Sequence, residues 1–471
     1  MCNRIPSHPG FPGTNYAIYQ LSITRSSGVY STSVTQLSGG NPLASDSGEI
    51  IIVLDWSTLS SVGGASTMVI ATQAVNALLS TSLIPALAGR PLAELPLHLV
   101  GHSRGASVIA EMARVLGASG VWVDHQSTLD PYPVSLLGDP GMKNYANVLY
   151  ADNYWQNTDF PTGQALTGAY NRYLPALSGG YAPGSNHSDV HLWYHGTVDL
   201  HTPTQDNLAT ITSAERATWW TTIEQAGINA GFLYSLVGGG DRLSSLEPAG
   251  TGNGRINDGF NRTWDLGAGT SATRSSLPAD NGSWPNLIRL DLTATNPVVS
   301  GQPVPVNLYY QLGATTATTG SLSLFLSLDA NPYSGNQAEI LSATLTGTGT
   351  NAVGQITANG LPAPATTVPG TYRVFGRLSD GPRTRYLYAP QRITLTPSLL
   401  PPVLLGPALH GGQFRFTLAA TPGQRIVILT SADFLTWTPV ATNVMFGTST
   451  NIALPASPEP APHFYRALLA R

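Results

Sequence analysis

Residues 97–105 read Leu-His-Leu-Val-Gly-His-Ser-Arg-Gly, and this stretch decides the fold. Leu97, Leu99 and Val100 make a short apolar run. Gly101-His102-Ser103-Arg104-Gly105 follows, and a small-residue segment with helical spacing begins at Ala106. The pattern predicts a strand, a tight turn and a helix, with Ser103 at the apex. Such a turn forces its central residue into a strained backbone conformation that lifts the hydroxyl clear of the sheet. Glycines on both sides are expected because side chains there would collide with the adjoining strand and helix.

The surrounding sequence alternates between strand and helix. Glu49–Trp56 is a continuous β-branched run of the kind buried on both faces of a parallel sheet. Residues 66–80 carry apolar side chains at helical spacing. Gly105 opens a second helix with Val108, Ile109, Met112, Val115 and Leu116 on one face, and Val121–Leu129 reads as the next strand. This alternation predicts an α/β fold, a parallel sheet covered by helices. A further helix is expected from Ser213 through Ile223. From about Gly238 the texture becomes loop-rich. Beyond it, short alternating strands such as 303–310, 321–328 and 371–378 read as a β-sandwich, and a proline-marked linker leads to a last module with strands at 413–418, 425–430 and 463–467. The expected organisation is an α/β region over 1–240, a connection over 241–286, a β-sandwich over 287–397 and a small β-module over 403–471. The sandwich carries no candidate nucleophile–base pair, so a chain ending near Ser283 is expected to keep its chemistry.

Composition narrows the function. Among 471 residues only 10% are charged, against about 25% in ordinary soluble proteins. Ser, Thr, Gly, Asn and Pro take their place, as in many extracellular bacterial proteins. A net charge of −4 without a Lys/Arg cluster argues against nucleic acid as a partner. The lone cysteine, Cys2, excludes an internal disulfide. No apolar run approaches the roughly 18 residues of a membrane span. Residues 1–10 lack the apolar centre of a signal peptide, so composition, rather than a leader, supports a secreted or cell-surface location.

A serine hydroxyl needs a base, and the base an orienting acid. After Ser103 the acids in reach are Asp124, Asp130 and Asp139. Asp130 stands where the strand Val121–Leu129 ends, in Leu-Asp-Pro, although an aspartate before proline also commonly starts a turn. The histidines cluster as His187, His191 and His195, and spacing alone does not choose among them. Their i, i+4, i+8 pattern, with Asp199 and His201 nearby, leaves a metal site as a rival reading, without the glutamate that helical zinc pairs usually carry between them.

Gly101–Gly105 resembles the nucleophile elbow of α/β-hydrolases, and four segments are similar to the lipase core of the pancreatic type. These are Val53-Leu54-Asp55-Trp56, the elbow 97–106, Leu129-Asp130-Pro131, and Asn186-His187 with the trailing Trp193-Tyr194. The resemblance spans about residues 1–235. It implies Ser103 as nucleophile, His187 as general base and then acid, and Asp130 as the orienting carboxylate. It also implies an oxyanion hole from the N–H of Arg104 and of Phe11, in His8-Pro9-Gly10-Phe11, where a proline is inserted relative to the family pattern. The strand expected before that loop would need residues ahead of Met1. The implied activity is hydrolysis of a carboxylic ester or lipid-like substrate with no cofactor and no metal. Tyr154 and Trp155, in an aromatic stretch between acid and base, are candidate substrate-binding residues, and core packing serves them equally well. The Arg104 guanidinium could also engage a carboxylate.

Two other classes remain open on the sequence: a secreted binding or adhesive protein on a degenerate hydrolase scaffold, and a peptidase, amidase or acyltransferase on the same fold. Asp329–Asn336 offers oxygen ligands that could hold calcium, but departs from the EF-hand pattern, and a plain turn is favoured. The C-terminal β-modules resemble those of large secreted bacterial proteins and could attach the chain to a surface or polymer.

Overall fold

The computed structural model describes residues 1–7, 15–44, 47–61, 63–174, 177, 179–181, 185–198, 212, 219, 275–276, 284–293, 296–313, 316–349, 352–362, 368–396, 401–456 and 462–470. The helix expected from Ser213, Trp219 apart, and most of the 241–286 connection lie outside them. The chain divides into two compact units.

The first unit begins with a hairpin absent from the sequence expectations. Strands β1 (Asn15–Ser26) and β2 (Val29–Gly39) are joined by Ser27-Gly28, both at positive φ, as a two-residue hairpin turn that matches strand twist requires. Strand β3 (Ser47–Asp55) pairs with β1 in parallel. Helix α1 (Thr67–Leu79) then leads to β4 (His98–His102), α2 (Arg104–Ala118), β5 (Val123–Leu129), β6 (Val148–Trp155), β7 (Tyr170–Tyr173) and α3 (Asn186–Val198). Strands β4-β5-β6-β7 form an all-parallel sheet in sequence order.

Side-chain parity explains how this sheet is covered. Leu97 and Leu99 enter a core with Ile70, Ala74, Val108, Ile109 and Met112, the inner stripes of α1 and α2. Val100 points the other way, to a core with Leu129, Tyr154, Val190, Trp193 and Tyr194, which includes the buried stripe of α3. The expected single parallel sheet is instead two sheets. β3 and β4 do not pair, and Ile50, Ile52, Leu54, Leu97, Leu99 and Val100 help line a cavity of about 420 Å³.

Antiparallel strands follow. β8 (Asn286–Leu292), β10 (Val304–Gln311) and β13 (Gly354–Gly360) make one sheet, in the order β13-β10-β8. β11 (Thr319–Ser327), β12 (Gln337–Thr346), β14 (Gly370–Ser379) and β15 (Thr384–Thr396) make most of another. The α/β region and these strands up to Thr394 belong to one compact unit, with no division near 287. An apolar cluster of Trp122, Leu149 and Ile288 joins them, together with a set of buried polar contacts. Arg385 donates to Asp124 Oδ2 at 2.6 Å and to the carbonyls of Ala93 and Trp122 at 2.6 and 2.7 Å. Asn286 Oδ1 accepts the Trp122 backbone N–H at 3.0 Å, and the Trp122 indole donates to Gln311 Oε1. Asp124, a candidate acid in the sequence, is thus consumed by Arg385 and by the Leu97 N–H.

The second unit contains β9 (Val298–Val299), paired with the end of β15, and the C-terminal strands β16 (Val403–His410), β17 (Gln413–Ala419), β18 (Arg425–Ser431), β19 (Thr438–Val444), β20 (Ser449–Pro455) and β21 (Phe464–Leu469). Two three-stranded antiparallel sheets, β16-β17-β20 and β19-β18-β21, enclose Phe416, Leu418, Ile426, Ile428 and Met445. Asp329 and Asn331 shape a turn: Asp329 Oδ1 accepts the Asn331 N–H, and Asn331 Nδ2 donates to the carbonyls of Pro42 and Ala44. The favoured turn is what this segment forms.

Removing one partner of a buried ion pair strands the other charge, at a cost of about 3–5 kcal/mol. Arg385→Leu should therefore lower the thermal midpoint markedly. A chain ending at Ser283 should fail to give a native circular-dichroism spectrum, contrary to the dispensability expected from sequence. A folded truncated chain, or an unshifted melt for Arg385→Leu, would show that these contacts carry little stability.

Candidate active site

Three consecutive parallel strands each deliver a polar residue immediately beyond the carboxyl end: Ser103 after β4, Asp130 after β5 and Gln156 after β6. Strand ends at this edge are where open parallel sheets gather functional groups.

Ser103 has φ 56° and ψ −125°, a conformation that side-chain-bearing residues rarely adopt. Its N–H donates to the Leu129 carbonyl at 2.8 Å, and its own carbonyl accepts from Ala106 and Tyr132. The turn also requires close contact between strand and helix. A Cβ on Gly101 would lie 2.4 Å from the Gly105 carbonyl oxygen, whereas one on Gly105 would meet nothing within 4 Å. Only the first of the two flanking glycines is sterically obligatory, a correction to the symmetrical expectation. The helix's own path leaves the Gly105 position open.

The three residues named by the resemblance come together. Ser103 Oγ lies 2.7 Å from His187 Nε2, and His187 Nδ1 lies 2.6 Å from Asp130 Oδ2. Since the carboxylate can only accept, Nδ1 carries the proton and Nε2 is free to accept the serine hydroxyl proton. His187 stands in the first turn of α3. His191 and His195 follow on the same helix, and neither reaches Ser103: the His191 ring instead packs on Tyr181, whose hydroxyl is 3.0 Å from His191 Nε2. Among the described residues there is no group of His, Cys, Asp or Glu that could hold a metal ion. Asp199 and His201 lie outside those residues.

Asp130 is fully buried and takes φ 44°. Its carboxylate accepts the Gln156 backbone N–H at Oδ1 and the Gln156 side-chain amide at Oδ2, each at 2.8 Å. The same Gln156 amide donates to the carbonyls of Asp159 and Pro161, and its oxygen accepts from Thr158 and Asp159. Behind the acid, a Cβ on Gly163 would lie 2.0 Å from Asp130 Oδ1. Sequence reasoning missed both residues. A strand-end glutamine two positions past a tyrosine carries no recognisable signature, and only the register of β5 against β6 brings it to Asp130.

Arg104 is the first residue of α2, so its N–H belongs to the donors that a helix cannot satisfy internally. It follows Ser103 directly in the chain. Its guanidinium does engage a carboxylate, but an internal one. Arg104 forms a two-point contact with Asp139, at 2.6 and 2.8 Å, and donates to the carbonyls of Ser60 and Ala65. Asp139 also accepts the Thr67 N–H, capping α1, and the Val134 N–H. Burial alone would raise the Asp139 pKa; these donors and the arginine charge outweigh it and hold it below the ordinary carboxylate value. Phe11, the expected second oxyanion donor, lies outside the described residues.

Tyr154, a candidate substrate residue in the sequence, is a core side chain in this fold. It is fully buried among Trp193 and Tyr194, and its hydroxyl donates to Asp152. Trp155 faces the other way and packs on Tyr173 at 4.8 Å between ring centres. The aromatic residue that does approach the triad is Tyr132, edge-on to the His187 ring at 6.3 Å, with the exposed Phe160 beside it at 5.7 Å.

No protein-family profile and no curated protein matches the sequence. Among solved structures, a polysaccharide monooxygenase CBM33 studied by X-ray photoreduction is similar over 23% of this chain and 65% of its own length, at 15% identity and a TM-score of 0.15. The chain thus spans just under two thirds of that protein, and a likeness this slight carries no argument.

Two outcomes test the geometry. Gly101→Ala should lower the melting temperature sharply while Gly105→Ala leaves it near the wild-type value; equal effects would contradict the strand–helix contact. His102, the residue before Ser103, is held down to a pKa of about 3 by burial and by the neighbouring His191 and His187 rings, against an ordinary value of 6.5. The unfolded chain therefore takes up this proton first, and stability falls as pH drops from about 6.5 toward 3. Urea unfolding across that range should show a shallower loss in His102→Gln than in wild type, and an identical slope would refute it.

Proposed function

We propose that this chain is a serine hydrolase of the α/β-hydrolase fold that cleaves carboxylic esters through an acyl-serine intermediate. The observation that carries the reading is the continuous hydrogen-bonded relay Asp130–His187–Ser103, with the serine on a strained strand-to-helix turn. Ser103 Oγ attacks the ester carbonyl carbon while His187 Nε2 takes the hydroxyl proton. Asp130 stabilises the resulting imidazolium and keeps its tautomer. Negative charge collects on the former carbonyl oxygen, where the Arg104 N–H can donate. Collapse expels the alcohol with the proton from His187, leaving the acyl group on Ser103. Water attacks this ester, gives its proton to His187, and releases the acid and the free serine.

The reading as a degenerate scaffold is disfavoured by the intact spacing of all three groups, which a chain under no catalytic demand has no reason to hold in strained backbone. Ester cleavage is preferred to amide cleavage on the lipase-like segments alone. A charge-poor surface is compatible with an exported enzyme, and no described helix is long and apolar enough to cross a membrane.

Turnover of p-nitrophenyl esters of graded acyl length tests the proposal. Ser103→Ala and His187→Ala should each lose at least about three decades of rate, because triad members fail as a unit. His191→Ala and His195→Ala should keep most of it. Undiminished turnover in Ser103→Ala would overturn the assignment, and loss of activity to a chelator with recovery on added zinc would revive the metal reading.

A further inference from the structure

The serine's neighbour on β4 also reaches the base. His102 Nε2 lies 2.7 Å from the main-chain carbonyl oxygen of His187. A carbonyl can only accept, so His102 carries its proton on Nε2 and donates. Its ring packs against those of His187 and His191, each at 4.8 Å between centres. The His187 carbonyl is already committed within α3, and its second lone pair takes this bond.

We propose that His102 is a positioning residue that fixes the general base to the nucleophile: the turn carrying Ser103 grips, through the adjacent side chain, the backbone of the residue whose ring must meet Ser103. The inference rests on the serine-hydrolase reading. Without His102, the contact between Ser103 and His187 would depend on two elements 84 residues apart held by separate anchors. Those other anchors act at the preceding residue. Asp159 Oδ2 accepts the Asn186 N–H at 3.0 Å, and the Asn186 amide donates to Thr158 Oγ1 at 2.6 Å. Both come from the loop that Gln156 ties to Asp130, so this loop sets helix α3 relative to the acid. His102 ties it to the strand that carries the serine. A neutral imidazole suits the task. It remains a single-proton donor through the range in which a general base works, and adds no positive charge to oppose the imidazolium that forms on His187.

The test uses the full chain and three variants. His102→Leu and His102→Met lack a donor, while His102→Gln offers an amide N–H to the same carbonyl. The donorless variants should lose about ten- to a hundredfold in kcat with KM little changed, as expected for a base displaced by a fraction of an ångström to an ångström, and His102→Gln should recover most of it. The downfield proton resonance of the Asp130–His187 hydrogen bond should broaden or shift in the donorless variants and return in His102→Gln. In wild type labelled at histidine nitrogen, His102 should be neutral with its proton on Nε2. Wild-type kcat and resonance in a folded His102→Leu or His102→Met chain, equal impairment in all three variants, or the other tautomer in wild type would each overturn the proposal. If the wild-type chain turns over no ester, the hydrolase reading falls, while the two resonance measurements still decide whether His102 positions His187.

Discussion

The approach of Gly101 to the Gly105 carbonyl is the constraint on which the site depends. With no side chain at 101, β4 runs directly into α2, and Ser103 is left in a conformation that extended or helical backbone would not give it. Two hydrogen bonds to the last residue of β5 and the loop after it hold that turn: Ser103 N–H to Leu129, and Tyr132 N–H to Ser103. The same pairing of β4 with β5 brings Asp130 level with the serine. Strain at Ser103 and the placement of Asp130 beside it are therefore consequences of one piece of sheet geometry.

Around this turn the chain spends buried charge on architecture. Arg104 and Asp139 tie the start of α2 to the start of α1 and to the 60–65 loop, and Arg385 with Asp124 ties the antiparallel strands to the parallel sheet. In a chain with so few charged residues, these pairs stand out by being enclosed rather than solvated. A buried pair is not strongly stabilising against an apolar alternative, but it is unforgiving of the loss of one member. The antiparallel strands up to Thr394 are in this sense part of the scaffold that holds the parallel sheet, not an appendage to it.

Much of the site could be read from sequence because its motifs are local. Glycine, serine and the strand–helix transition fall within nine residues, Leu-Asp-Pro marks the next strand end, and Asn-His opens a helix. What could not be read depends on long-range register. Asp124, Asp130 and Asp139 look alike in sequence, and only the fold gives one to Arg385, one to His187 and one to Arg104. Tyr154 and Gln156 lie on one strand edge, yet one is core and the other holds the acid. The hairpin β1–β2 escaped notice because β2 is mostly exposed and lacks apolar alternation. The joining of the antiparallel strands to the α/β region draws on single polar residues 164 to 292 positions away from their partners, which leave no periodic trace.

The central claim is that Ser103 becomes covalently acylated, and a pre-steady-state burst measures it most directly. Mixing the chain with excess p-nitrophenyl ester should release about one equivalent of p-nitrophenol per chain faster than the steady rate, and an acid-quenched digest should carry the acyl group on the peptide containing Ser103. A linear release with no adduct, or an acyl group found on another residue, would contradict it.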